Sequence, residues 1–170
     1  PGDYFDFLTL PGGDLCIAVA DVSGHGLGAS LLMAEIRAYL RVLSSSHNNL
    51  DVILIKANEL VTMDDDMRYF ITMMLARVHL NSRELTYGGA GHTGFLLPDN
   101  GHARELVSTG PPLGLTRNCG FAESGPIPLG SGDLLLLATD GFWEAMSADD
   151  EMYGHQRMLE VVHAHRHEPA

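Results

Sequence analysis

Apolar and polar positions change period several times along the chain, and each change predicts an element. Tyr4 to Leu10 reads as a strand and Leu15 to Ala20 as a second, separated by the turn Pro11-Gly12-Gly13-Asp14. In the second strand Leu15, Ile17 and Val19 share one face and the smaller Cys16, Ala18 and Ala20 the other, which is the period-2 alternation of a strand. After the glycine-rich segment Ser23 to Gly28 the period becomes helical. Leu32, Ile36, Tyr39, Leu40 and Leu43 fall on one face of a helix predicted from about Ala29 to Ser44. Ile53, Ala57, Leu60 and Val61 do the same for a helix from about Leu50 to Met63, with Asn49 as its N-cap.

Beyond Asp64-Asp65-Asp66, read as a charged helix end, the pattern returns to strands. Tyr69 to Leu80 and Glu84 to Gly89 form a hairpin about Asn81-Ser82-Arg83, and Phe95 to Leu97 pairs with Ala103 to Val107 around Pro98-Asp99-Asn100-Gly101. Pro111-Pro112-Leu113-Gly114 is a loop, Gly120 to Ile127 and Asp133 to Thr139 are the last strands, and Tyr153 to His165 is a final helix. Leu134 to Leu137 shows no alternation, so both faces of that strand are expected to be buried. Met63, Met67, Met73 and Met74 read as core or flexible interface, and His163 to His167 as a solvated end. The set predicts an α+β domain of stacked, mostly antiparallel sheets with helices outside. Its 170 residues fit one domain, with no repeat, linker or low-complexity tract.

Composition narrows the function classes. Acidic residues outnumber basic ones 22 to 10, a formal net charge of −12, which argues against nucleic acid or an anionic membrane surface as a partner. No apolar run approaches the roughly 18 residues of a membrane span. Cys16 and Cys119 are too few for a disulfide framework and read as buried thiols in a reducing, cytoplasmic setting.

The candidate chemistry lies in three glycine-bearing turns: Gly2-Asp3, Asp21-Val22-Ser23-Gly24-His25-Gly26 and Thr139-Asp140-Gly141. Each borders an apolar strand. An aspartate beside glycine at a strand end is usually only a turn, but three such aspartates can converge on one pole of a sheet and hold a hard divalent cation with oxygen ligands. Glycines 24, 26 and 28 permit a tight turn that opens a helix, whose first amides favour an anion such as phosphate. Glu144 follows Asp140 closely enough to return a second carboxylate. Asp6 reads either as a hydrogen-bond partner of metal-bound water or as a strand anchor, and His92 as a loop-stabilising residue.

Gly2-Asp3-Tyr4-Phe5-Asp6, Ala20-Asp21-Val22-Ser23-Gly24-His25-Gly26, Gly89-Ala90-Gly91-His92, Pro112-Leu113-Gly114-Leu115 and Thr139-Asp140-Gly141-Phe142-Trp143-Glu144-Ala145 together resemble the ordered motifs of the SpoIIE/RsbU branch of the metal-dependent (PPM) serine/threonine phosphatases. The resemblance spans essentially the whole chain. It implies an α-β-β-α sandwich with a two-metal centre of Mn²⁺ or Mg²⁺ between the sheets. The metal ligands it implies are Asp3, Asp21 with the carbonyl of Val22, and Asp140; Glu144 reads from its own position either as an accessory ligand or as an exposed helix-start carboxylate. It implies dephosphorylation of phosphoserine or phosphothreonine in a protein by a water activated between the ions, with Asp21 bridging them. No phosphoenzyme is involved, so neither cysteine is a nucleophile. His25 is a candidate proton donor to the leaving alkoxide, although it stands two places after the position that eukaryotic-type members use. The bacterial regulatory members act on small anti-anti-sigma-factor proteins.

One departure matters. The family usually carries a fourth ligand aspartate near its C-terminus, in an Asp-Asp or Asp-Asn pair before a last strand. No such pair follows the final helix, and Asp149-Asp150 lies too close to Asp140. The expectation is one phosphatase domain over residues 1–170, cut from a longer chain with an upstream sensor, lacking its C-terminal strand and dimerising through the helices around Ala29 to Met63. The alternative is a catalytically silent module of the same fold that docks a phosphoprotein.

Overall fold

A computed structural model describes residues 2–63 and 69–168; Asp64-Asp65-Asp66 and Met67 lie outside the described residues. The elements run β1 (Asp3–Thr9), β2 (Leu15–Val22), α1 (Leu27–Ser46), α2 (Leu50–Val61), β3 (Ile71–His79), β4 (Glu84–Ala90), β5 (Gly94–Leu97), β6 (Arg104–Leu106), β7 (Ser124–Pro128), β8 (Leu134–Leu137) and α3 (Gly154–Ala164). They form two sheets, β1-β2-β3-β4-β7 and β6-β5-β8, and every ladder is antiparallel. The sheets stack between α1 and α2 on one side and α3 on the other, giving the α-β-β-α sandwich.

Strand alternation builds these layers. On β1 and β2 the even positions, Tyr4, Leu8, Cys16, Ala18, Ala20 and Val22, join Ile36, Leu40, Ile53 and Leu54 in the core beneath the two helices. On β3 the parity reverses: Ile71, Met73 and Leu75 face the helices, while Met74 and Ala76 meet Leu96 and Leu106 of the second sheet. Met73 and Met74 are therefore buried in different cores, and Met63 is exposed, so the methionines do not form one cluster. The outer face of the second sheet, Phe95 and Leu97, packs on Met158 and Leu159 of α3.

Three local expectations are corrected. Leu134 to Leu137 are half-buried rather than buried on both faces: the inner pair packs on the inter-sheet core and the outer pair on α3, but β8 is an edge strand. Asn49 occupies the N-cap of α2 without a side-chain bond; the Leu50 amide is instead satisfied by the Glu123 carboxylate, 73 residues away. The tail is tied down as far as Arg166, whose side chain is 5% exposed and donates to the carbonyls of Pro98 and Gly132. The Cys16 thiol is buried as expected, and burial pushes its pKa up to about 12, which leaves it a packing residue rather than a nucleophile.

Leu75 is fully buried at the centre of β3. Leu75→Ala is expected to cost about 2–5 kcal/mol, read as a lower midpoint in urea unfolding.

Candidate metal centre

The antiparallel register decides which side chains share the inter-sheet face at one pole. Asp3 stands opposite Asp21, and Asp21 stands opposite Thr72 on the next strand. Asp3 and Asp21 have the same parity as Phe5, Phe7, Ile17 and Val19, which line a cleft between the sheets. Both carboxylates therefore belong to the inner face. Asp6 lies three positions from Asp3 and so points to the helix side. There it accepts hydrogen bonds from Tyr4 and from two nitrogens of Arg41 on α1, at 2.8 and 3.1 Å for the arginine. It anchors the strand to the helix, the second of the two readings its sequence allowed, and these donors hold its pKa below the ordinary value despite desolvation.

Asp140 reaches the same pole from the opposing sheet, three residues beyond β8. The turn it begins is closed by the Phe142 amide donating to Thr139 and the Glu144 amide to the Asp140 carbonyl at 2.8 Å. Glu144 is thereby returned one turn later, with its side chain exposed. Asp21 is half-buried, and its pKa is raised by burial first and then by the charges of Asp3 and Asp140. Asp3 and Asp140 thus lie near enough to Asp21 for their charges to act on it. His25 is exposed in the turn before α1.

The donor chemistry fits a hard cation: three carboxylates and a backbone carbonyl, all oxygen, with no thiolate or imidazole among them. The Val22 carbonyl and Asp21 Oδ1 are kept open by a glycine. A Cβ added at Gly2 would lie 2.8 Å from the Val22 oxygen and 2.9 Å from Asp21 Oδ1. Among the described residues no three His, Cys, Asp or Glu side chains stand around one point. A separate cleft of about 480 Å³ against α3, lined by His102, Leu159 and His163, contains none of the three aspartates.

His92 holds a position that its sequence motif did not reveal. It lies in the crossover from β4 to β5, is 5% exposed, and touches both sheets. Its Nε2 is 2.9 Å from the Ala138 carbonyl and its Nδ1 is 3.1 Å from Thr72 Oγ1. A carbonyl only accepts, so Nε2 carries the proton. Burial lowers the ring's pKa, so Nδ1 is bare and accepts from the threonine hydroxyl.

The model of the family described as Stage II sporulation protein E (SpoIIE) matches residues 11–170. Protein IcfG of Synechocystis is 28% identical over 96% of this chain and 30% of its own length. Phosphoserine phosphatase RsbU of Bacillus subtilis is 30% identical over 84% of this chain and 43% of its own. The chain thus spans less than half of these curated relatives. The structure of the RsbU and RsbW domains of Rv1364c from Mycobacterium tuberculosis superposes with a TM-score of 0.81 at 26% identity, covering 98% of this chain and 47% of that one.

The field on Asp21 has a consequence for stability. A carboxyl whose folded pKa is raised favours folding below its unfolded value, and that contribution is lost as pH rises through the folded value. In metal-free protein Asp21→Asn is therefore expected to raise the melting temperature at pH 7 by about 2–4 °C and to have little effect near pH 3. Thermal melts at the two pH values check this.

Proposed function

Because the chain belongs to the SpoIIE family, we propose that it is a metal-dependent protein-serine/threonine phosphatase domain acting on a phosphoprotein in bacterial signalling. The observation that supports this reading is the pairing of Asp3 with Asp21 on the inter-sheet face, with Asp140 near enough for its charge to act on Asp21. These acids and the Val22 carbonyl would hold two Mn²⁺ or Mg²⁺ ions, with Glu144 as an accessory ligand. When bound, the ions supply water activation and offset charge on the phosphoryl oxygens. The chain's own residues do the rest. Gly2 leaves room at the Asp21 and Val22 oxygens, the Asp140 turn brings a carboxylate from the second sheet, and exposed His25 donates a proton to the serine or threonine oxygen as it leaves.

The substrate in this reading is a small phosphorylated regulator of the anti-anti-sigma-factor kind, in the cytoplasm, with an upstream sensor in the full-length protein. Exposed Leu27, Leu31 and Val42 lie along one stripe of α1, which suits a homodimer through that helix. The open side of the sandwich supports a further strand. Phe5 and Phe7 are 73% and 62% exposed, and with Leu135 and Leu137 they line a cleft of about 270 Å³ beside β8, which has no second neighbour among the described residues. A strand paired there would cover both rings and stand beside the acidic pole, where a fourth carboxylate is wanted. The spread of the acids favours a second reading, a silent domain that docks the phosphoprotein without hydrolysing it.

Hydrolysis of a phosphoserine peptide separates the two. Mn²⁺-dependent turnover that falls at least about a hundredfold in Asp21→Asn is expected of the enzyme; peptide binding without turnover, with or without Mn²⁺, indicates the docking module. A longer form carrying the further strand is expected to turn over faster and to bind less of an apolar dye than the 170-residue chain.

A further inference from the structure

The two sheets bring acids to the pole from opposite sides, so something must set the gap between them. On the first sheet Asp21 is held by the β1 and β3 ladders. On the second, β8 ends at Leu137, and the next three residues lead out of the ladder to Asp140. The bonds that shape the Asp140 turn are local to residues 139–144. Among the described residues, the hydrogen bond from His92 Nε2 to the Ala138 carbonyl is the one that ties residues 138–140 across to the crossover from the first sheet. Its other nitrogen grips Thr72, the residue directly opposite Asp21. One ring thus spans from the neighbour of Asp21 to a carbonyl two residues before Asp140.

The ring is itself fixed. Gly91 has φ 68, and an added Cβ there would lie 2.5 Å from Pro112 Cγ. The Gly91 amide donates to the Gly110 carbonyl at 2.9 Å and lies within reach of Ser108 Oγ. The backbone before His92 is therefore pinned to the Ser108–Pro112 segment. A planar ring with both nitrogens engaged, on a pinned backbone, has little freedom to shift either contact.

We propose that His92 is a positioning residue: a strut between the sheets that sets the separation of Asp21 from Asp140, and through it the fit of the acidic pole to a divalent cation. The cation part rests on the phosphatase reading, whereas the strut itself does not. His92 touches neither acid, so its effect passes through Thr72 on one side and the Ala138–Asp140 backbone on the other. Imidazole is the natural side chain for this task. It offers one donor and one acceptor at opposite ends of a rigid ring, and burial keeps it neutral.

Three forms of the 170-residue chain test this: wild type, His92→Leu and His92→Gln, whose amide retains a donor for Ala138 and an acceptor for Thr72. Amide hydrogen exchange of the metal-free proteins and Mn²⁺ titration by calorimetry are the readouts. In His92→Leu, residues 138–144 are expected to exchange at least tenfold faster while residues 15–22 and 71–79 keep wild-type protection, and the Mn²⁺ dissociation constant is expected to rise at least tenfold. His92→Gln should restore both to within about threefold. Wild-type exchange at 138–144 in His92→Leu overturns the strut, as does equal loosening of all three segments, which would mark a core residue. Faster exchange at 138–144 with unchanged Mn²⁺ affinity overturns the claim that the strut sets the acid spacing. If wild type and Asp21→Asn bind Mn²⁺ equally, the metal reading fails, and the exchange data still decide the strut.

Discussion

The register between β1 and β2 is the constraint on which this molecule depends. Asp3 stands opposite Asp21, and a slip of one residue would send every side chain of β1 to the other face. Asp3 would then turn toward the helices, and Tyr4 and Leu8 would leave the core beneath α1. The same pairing thus places apolar bulk against the helices and acid against the second sheet. Tyr4 and Arg41 reinforce it by holding Asp6 on the helix side, a contact open to Asp6 only in this register.

A pole built this way carries an electrostatic cost. Asp21 is half-buried and feels two like charges, which raises its pKa. A cluster of this kind persists when the rest of the fold over-determines it. Here the support is a five-stranded ladder whose central strands β2 and β3 carry Ala18, Ala20, Met73 and Leu75 fully buried. The pole thus concentrates like charge on a part of the fold held in place by the surrounding sheet.

The two sheets treat their edges differently. β1 exposes Phe5 and Phe7 in edge-to-face contact, 6.4 Å between centroids, beside β8, whose outer edge has no neighbouring strand among the described residues. Apolar rings and bare backbone groups on the same open side are the features that an added strand satisfies together.

Most elements were legible in the chain because period 2 and period 3.6 are local properties. Strand parity on β2, the apolar face of α1 and the three glycine-bearing turns with their aspartates follow from neighbours in sequence. What the chain alone could not decide was each contact made across the fold. Asp3 and Asp6 look alike in sequence, and only the pleat separates an inner-face acid from a helix anchor. The leucines of β8 read as fully buried, but burial depends on a neighbour that no strand's own sequence reveals. Glu123 caps α2 across 73 residues, and His92 joins Thr72 to Ala138 across the two sheets. The sequence by itself determined the elements, their apolar faces and the acids, because these depend on spacing along the chain; the tertiary structure decided which acids share a face and which side chains bridge the two sheets, because that depends on distance across it.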